Sequence, residues 1–356
     1  MEWFKTQILP RVPFLFYWLM RLILFPSIFV RRKNNQLMCI EAGKEGWELI
    51  EIKELYTTAQ EFLNEYRVER IVVKKNGKYI PQIRKAIKEH NPSHYVYDPR
   101  SYGGLWNAIR LSILLHYRGI VPICICTDLA TRKWRTWVSI VTARKGVVAG
   151  YISLELFGPI FPHNRIVSPN LMPLSMETLQ TLDKMDAKKE NDVVFVGSMY
   201  EPRISILEKI KARLAKYNID LKLITRKAGG KRIPDSDYWG AMKKSKIVII
   251  TTDQVEQKES DWTWINHVIY KYIEVLACGS LLIAPRTPGV ERFLTSGEHY
   301  VPYFDLQNAA QLVRHYLKHD DERERIAKQG YEKVKSIVNS RLFWTCIDSA
   351  LGKDCL

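Results

Sequence analysis

The feature that most constrains this chain is a rhythm of short apolar runs alternating with longer amphipathic ones. QLMCIEA (36–42) ends in Gly43-Lys44-Glu45-Gly46 and is followed by the helix-like YTTAQEFLNEY. RIVVKK (70–75), a helix over 80–90, HYVY (94–97), the helix LWNAIRLSILLHYRG and VPICICT (121–127) continue the series, and WVSIVTA and VVAGYISLELF extend it. Strands alternating with helices predict a parallel sheet with helices on both faces.

The stretch 172–192 changes character: it is polar, rich in lysine towards its end and without strand signals, so it reads as a linker. A second alternating series follows. DVVFVG (192–197), a helix over 202–217, LKLITR (221–226), a helix over 237–244, KIVIITT (246–252), a helix through Glu274 and LLIA (281–284) are its parts. Helical patterns over 305–318, 321–337 and 341–350 close the chain. The expected organisation is an N-terminal α/β domain over 36–180, a C-terminal one over 181–338, and a closing helix over 339–356 that can pack back on the N-terminal domain. Two such halves make a cleft between them the natural ligand site.

The 356 residues are enough for two cores, and 46% hydrophobic with 26% charged residues excludes a disordered chain. A net charge of +16 points to an anionic partner: nucleic acid, an acidic membrane surface or phosphorylated substrates. The six cysteines show no CxxC pairing, so reduced thiols in a cytosolic compartment are expected, with neither a disulfide framework nor a zinc site.

Residues 14–30, FLFYWLMRLILFPSIFV, are interrupted by Arg21 and Pro26 and fall short of the roughly 20 apolar residues of a span. Flanking cations and mixed aromatics suit a helix lying on an anionic leaflet, so 1–35 is expected to be an amphipathic membrane-associating segment. A helix packed on the first domain is the other reading. TRKWRTW (131–137) could dock on headgroups or nucleic acid, or be a solvated loop.

Two constellations carry chemistry. In FVGSMYEPR (195–203) a strand ends in Gly197-Ser198, with Arg203 at the front of the next helix. Such a turn lets backbone N–H groups approach a phosphate beside a helix N-terminus. Around the start of KYIEVLACGSLLIAPRTPG (271–289), Lys271 and Glu274 share a helical face with His267, four residues before the run. Either Lys271 and Glu274 form a surface pair, or Glu274 holds the ribose hydroxyls of a nucleotide and Lys271 its phosphates. Arg286, Thr287 and Gly289 lie in a rigid loop at a strand's carboxyl end, where substrate groups are met. Asp235-Ser236-Asp237 resembles a metal-binding Asp-x-Asp but precedes a helix, so N-cap residues are the simpler account.

The run from Tyr272 to Val334, with its E-x-L-A-x-G, strand, Pro-Gly loop and ERERIAKQGYEKV helix, resembles the C-terminal module of the group 1 glycosyltransferases of GT-B architecture. It is most similar to the CgeB-like branch, whose glycine loop FVGSMYEPR also fits. The resemblance implies α/β architecture with two Rossmann-like domains facing a central cleft. It implies a nucleoside-diphosphate sugar as donor substrate on the C-terminal domain, no cofactor and no metal. Glu274 takes the donor ribose, with Gly197, Ser198 and Arg203 near the diphosphate. Many members carry a second glutamate eight positions earlier; Asn266 stands there.

The acceptor-side base has three candidates at carboxyl ends of expected strands: Asp128 first, then His163 and Asp98. The expected protein is therefore a metal-independent glycosyltransferase, cytoplasmic and peripheral at the inner membrane face. Its acceptor is expected to be a lipid-linked or surface glycan, its partner surface an anionic membrane, and nucleic acid is not expected. The competing readings are a non-catalytic nucleic-acid-binding protein, whose basic residues would need to form a stripe they do not form here, and a degenerate GT-B scaffold subunit.

Overall fold

The computed structural model describes residues 35–44, 50–74, 77–98, 104–126, 143, 147–150, 165–167, 172–186, 188–226, 233–251, 268–287, 290–338 and 342–352, with Leu19, Leu22 and Ile23. The chain divides into two compact units, Met1–Pro169 with Arg341–Leu356, and Asn170–Ser340.

Unit 1 is built on β1 (Leu37–Lys44), β2 (Arg67–Val73), β3 (His94–Tyr97), β4 (Val121–Cys126), β5 (Val147–Gly150) and β6 (Arg165–Val167). All pair in parallel, in the order β2-β1-β3-β4-β5-β6. Helices α1 (Ile50–Phe62), α2 (Tyr79–His90) and α3 (Leu105–Tyr117) form the crossovers that parallel pairing requires. Central β4 is buried at all six positions, as its unbroken apolar run predicts. Its Cys124 and Cys126 thiols lie 3.8 Å apart without a disulfide, and all five described cysteines are free.

The closing helix, Leu342–Gly352, belongs to unit 1. Trp344 is among its buried anchors and donates its indole N–H to Thr58 Oγ1 at 3.0 Å, across 286 residues of sequence. Of the apolar entrance, Leu19 and Leu22 are exposed, and the Tyr117 hydroxyl donates to Ile23 O at 3.1 Å. The rest of that segment and TRKWRTW lie outside the described residues. Among the described residues, no helix is long and apolar enough to cross a membrane.

Unit 2 has five parallel strands in the order β11-β10-β9-β7-β8. They are β7 (Asn191–Ser198), β8 (Leu221–Arg226), β9 (Ser245–Ile249), β10 (Leu281–Pro285) and β11 (Val301–Tyr303). Val193, Phe195, Ile247, Ile249, Leu281 and Ile283 form one core with Ile206, Ile210, Val313 and Ile326 from covering helices.

The linker expectation is corrected here. Met176–Lys184 is a helix, α4, because Ser175 accepts the Thr178 N–H at 3.2 Å as an N-cap and Leu179 and Leu182 bury an apolar edge. The division accordingly falls at Pro169/Asn170, ahead of the expected 180/181. The remaining helices are α5 (Arg203–Ala215), α6 (Asp235–Lys243), α7 (Lys271–Ala277), α8 (Leu306–Lys318) and α9 (Asp320–Val338).

Candidate functional site

The carboxyl edge of the unit 2 sheet gathers the two sequence constellations. Strand β7 runs out at Gly197-Ser198, and a Cβ on Gly197 would stand 3.1 Å from the Phe195 ring, so the turn has little room for a side chain. Arg203 opens α5 and folds back over this turn. Its Nη1 donates to Ser198 O at 2.9 Å, and its guanidinium lies 4.3 Å from the Tyr200 ring centroid and 5.6 Å from that of Phe195. Its Nε is buried without an acceptor among the described residues.

Helix α7 is short and almost wholly buried, held at its start by the Tyr270 hydroxyl donating to Pro173 O at 2.9 Å. Glu274 is only 3% exposed, so the surface-pair reading is wrong. Its carboxylate takes an ion pair from Lys271 Nζ at 3.0 Å and accepts the Tyr238 hydroxyl at 2.8 Å and 2.9 Å, one contact per oxygen. Lys271 Nζ also donates to the Tyr238 hydroxyl and sits 3.9 Å from its ring centroid. A buried carboxylate held by one phenol hydroxyl and one ammonium is preorganised to accept further hydrogen bonds from hydroxyls.

Burial pushes the Lys271 ammonium below the ordinary lysine range, Glu274 pulls it back, and the Arg203 charge pushes it down again. The Arg203 field thus reaches Lys271, which joins the glycine turn to the Glu274 cluster. Lys271 and Arg203 are the cations that the two constellations contribute to this edge.

Tyr238 is the residue that sequence reasoning missed as a ligand of Glu274. It was read only as part of the helix behind Asp235-Ser236-Asp237. No spacing rule relates it to Glu274, 36 residues away; packing of α6 against α7 makes the contact. The N-cap reading of the Asp-Ser-Asp motif is also corrected. Pro234 occupies the cap, while Asp235 and Asp237 lie in the first turn of α6, where carboxylates meet the positive end of the helix dipole. Among the described residues, no three His, Cys, Asp or Glu side chains converge as a metal site.

The loop after β10 is tied down from within. Thr287 is buried, donates to Pro285 O at 3.2 Å, and receives the Tyr272 hydroxyl at 3.3 Å; that hydroxyl also reaches Pro285 O at 3.0 Å. These bonds tie the loop to α7. Arg286 is exposed, 5.6 Å from the Phe304 ring centroid. Gly289, Asn266 and His267 lie outside the described residues, as do Asp128 and His163 of unit 1. Asp98 directly follows β3 and is buried.

Residues 179–341 match the family described as Glycosyl transferase-like. No curated protein sequence matches the chain. Anabaena Alr3699/HepE, in a crystal structure with UDP and glucose, aligns at TM-score 0.57 and 10% identity over 91% of this chain and 100% of its own. Sucrose-phosphate synthase from Thermosynechococcus elongatus gives TM-score 0.55 and 12% identity over 90% and 98%. A glycosyltransferase from Rickettsia africae gives 0.51 and 12% over 90% and 97%. The chain has the two-domain α/β fold of the GT-B proteins, and the stretch similar to the Glycosyl transferase-like family lies almost wholly in its second unit.

Proposed function

We propose that this protein transfers a sugar from a nucleoside-diphosphate sugar to a lipid-linked or surface-glycan acceptor at the cytosolic face of a membrane. The observation that carries the donor half is the buried Glu274 carboxylate, held by Tyr238 and Lys271 beside an Arg203 with an orphaned Nε–H. Ribose hydroxyls have a preorganised acceptor there. A diphosphate would accept from Lys271, from the unpaired Nε–H of Arg203 and from the N–H groups around Gly197. Positive charge at this edge would stabilise the departing nucleoside diphosphate as charge develops on it, without a metal.

UDP is the first base to try, because UDP and UDP-glucose occupy the crystallised HepE. The acceptor half rests on the basic, aromatic sequence of residues 1–35. The proton of the acceptor hydroxyl falls to Asp128, with His163 and Asp98 as alternatives.

Purified protein is offered UDP-, GDP-, ADP- and CMP-sugars, and hydrolysis or transfer is measured. Turnover is expected with at least one, and Glu274→Ala should lower it at least 100-fold, near the cost of losing a preorganised charge-assisted contact in the transition state. Undiminished turnover in that variant refutes the assignment of Glu274.

A further inference from the structure

The opposite edge of the same sheet holds a second cationic site. Because all five strands are parallel, the residues leading into them share one edge. Lys189 precedes β7, Lys246 lies at the start of β9 and Gly279 precedes β10; together with Lys243, Arg323 and Lys328 they line a cavity of about 340 Å³. The eight residues of β7, at about 3.3 Å each, put roughly 25 Å between this edge and the Gly197 turn.

Five cations meet one carboxylate, Glu324, in this lining. Three of the five are already engaged. Arg323 pairs with Asp320 and with Glu324 and donates to Tyr316 O, and Lys246 pairs with Asp192 at 2.7 Å. Lys189 spends its ammonium on Lys243 O at 2.8 Å, Gly279 O at 3.2 Å and Ser280 Oγ at 2.9 Å, where it closes the C-terminal ends of α6 and α7.

Lys243 differs. It is 8% exposed, and its ammonium has no hydrogen bond or ion pair within 4 Å among the described residues; the Tyr331 ring centroid lies 6.0 Å away, and Asp183, which accepts the Tyr331 hydroxyl, feels its charge from farther off. Lys328, exposed at the rim, also has no described carboxylate partner. The Lys243 stem is buried while its ammonium opens on the cavity, so an arriving anion meets a cation that no carboxylate holds.

We propose that this cavity binds a small, multiply charged phosphate compound, with Lys243 at its floor and Lys328 at its rim. The inference is independent of the donor site and goes beyond the transferase reading.

Inorganic pyrophosphate, titrated calorimetrically into the full chain, is the test, with variants checked by thermal melting. Arg203→Met, which disables the diphosphate contacts of the donor site, should still bind pyrophosphate, and in that background Lys243→Met should weaken binding about tenfold and Lys328→Ala several-fold. Three results would overturn the site: no binding to the unaltered chain at millimolar pyrophosphate, equal affinity in a folded Arg203→Met/Lys243→Met, or loss of binding with Arg203→Met alone. If Lys243→Met fails to fold, the exposed Lys328→Glu decides in the same background: weakened binding supports the site, and unchanged affinity refutes it.

Discussion

Unit 2 buries a lysine at each edge of its sheet and treats the two differently. Lys271, at the carboxyl edge, has a carboxylate at 3.0 Å and a phenol against its ammonium. Lys243, at the amino edge, has a distant ring and an open cavity. The difference shows what burial of charge demands. A cation inside a protein needs an internal partner, or a place for an external one to arrive. The first arrangement yields a fixed acceptor for neutral hydroxyls beside cations for a diphosphate. The second yields an attractive site for an anion and nothing else.

Breaking the Lys271 pair should produce the largest effect. Glu274→Ala removes the acceptor and strands the Lys271 charge, so it should cost at least 100-fold in kcat/KM and about 3 kcal/mol of stability. The double variant Lys271→Met/Glu274→Ala should regain much of that stability, read by urea unfolding, and none of the activity. Recovery of activity would mean that Glu274 serves only to neutralise Lys271.

Gly330→Ala perturbs the packing of α9 on α7. A Cβ there would collide with the backbone oxygen of His299 and stand 2.8 Å from Leu276 Cδ2, where α9 packs on α7. A loss of about 2 kcal/mol is expected from overpacking against main chain that cannot yield, seen as a lowered Tm.

Tyr238→Phe sharpens the comparison more gently. It deletes one hydroxyl from Glu274 and Lys271 while keeping the ring, so about 1 kcal/mol of stability should go. Donor KM should rise more than kcat falls if the hydroxyl positions the carboxylate. A fall in kcat alone would instead place Tyr238 in the chemical step.

The smallest effect concerns pH at the amino edge. Burial lowers the Lys189 pKa from 10.5 to about 8. Between those values the folded chain has released this proton while the unfolded chain keeps it. The unfolded state therefore binds more protons, and the Lys189 contribution to unfolding free energy rises with pH across that window. Below about pH 8 both states are charged and its contribution is flat. Subtracting a Lys189→Met unfolding series from that of the unaltered chain, in phosphate-free buffer, should isolate a positive slope of at most about 1.4 kcal/mol per pH unit. A negative difference slope would overturn this account.

Much of the fold was legible because its signals are local. VPICICT could only be a strand buried on both faces, and the alternation of strands and helices left parallel sheets as the natural outcome. Where signals were weak the reading failed. The lysines that follow α4 made 172–192 look like a linker, although Ser175 and two buried leucines define a helix inside it.

At the candidate site, Glu274, Lys271 and Arg203 were visible from sequence because short-range spacing and a glycine turn set them apart. Thr287 was visible too, but its hydroxyl proved to be spent within its own loop. Spacing identifies a side chain's position along the chain, whereas its hydrogen bonds depend on what is packed around it.

By itself, then, the sequence determined the order of elements, the glycine turn ahead of Arg203 and a carboxylate one turn before Gly279, since each depends on neighbours within a few residues. Only the tertiary structure decided that Glu274 is buried, that Tyr238 reaches both of its oxygens, that Lys243 faces a cavity lined mostly by cations, and that the closing helix returns to unit 1 through Trp344. The Lys271–Glu274 pair is local, but the Tyr238 contact on it comes from 36 residues away and the Trp344 anchor spans 286, and no local pattern encodes those.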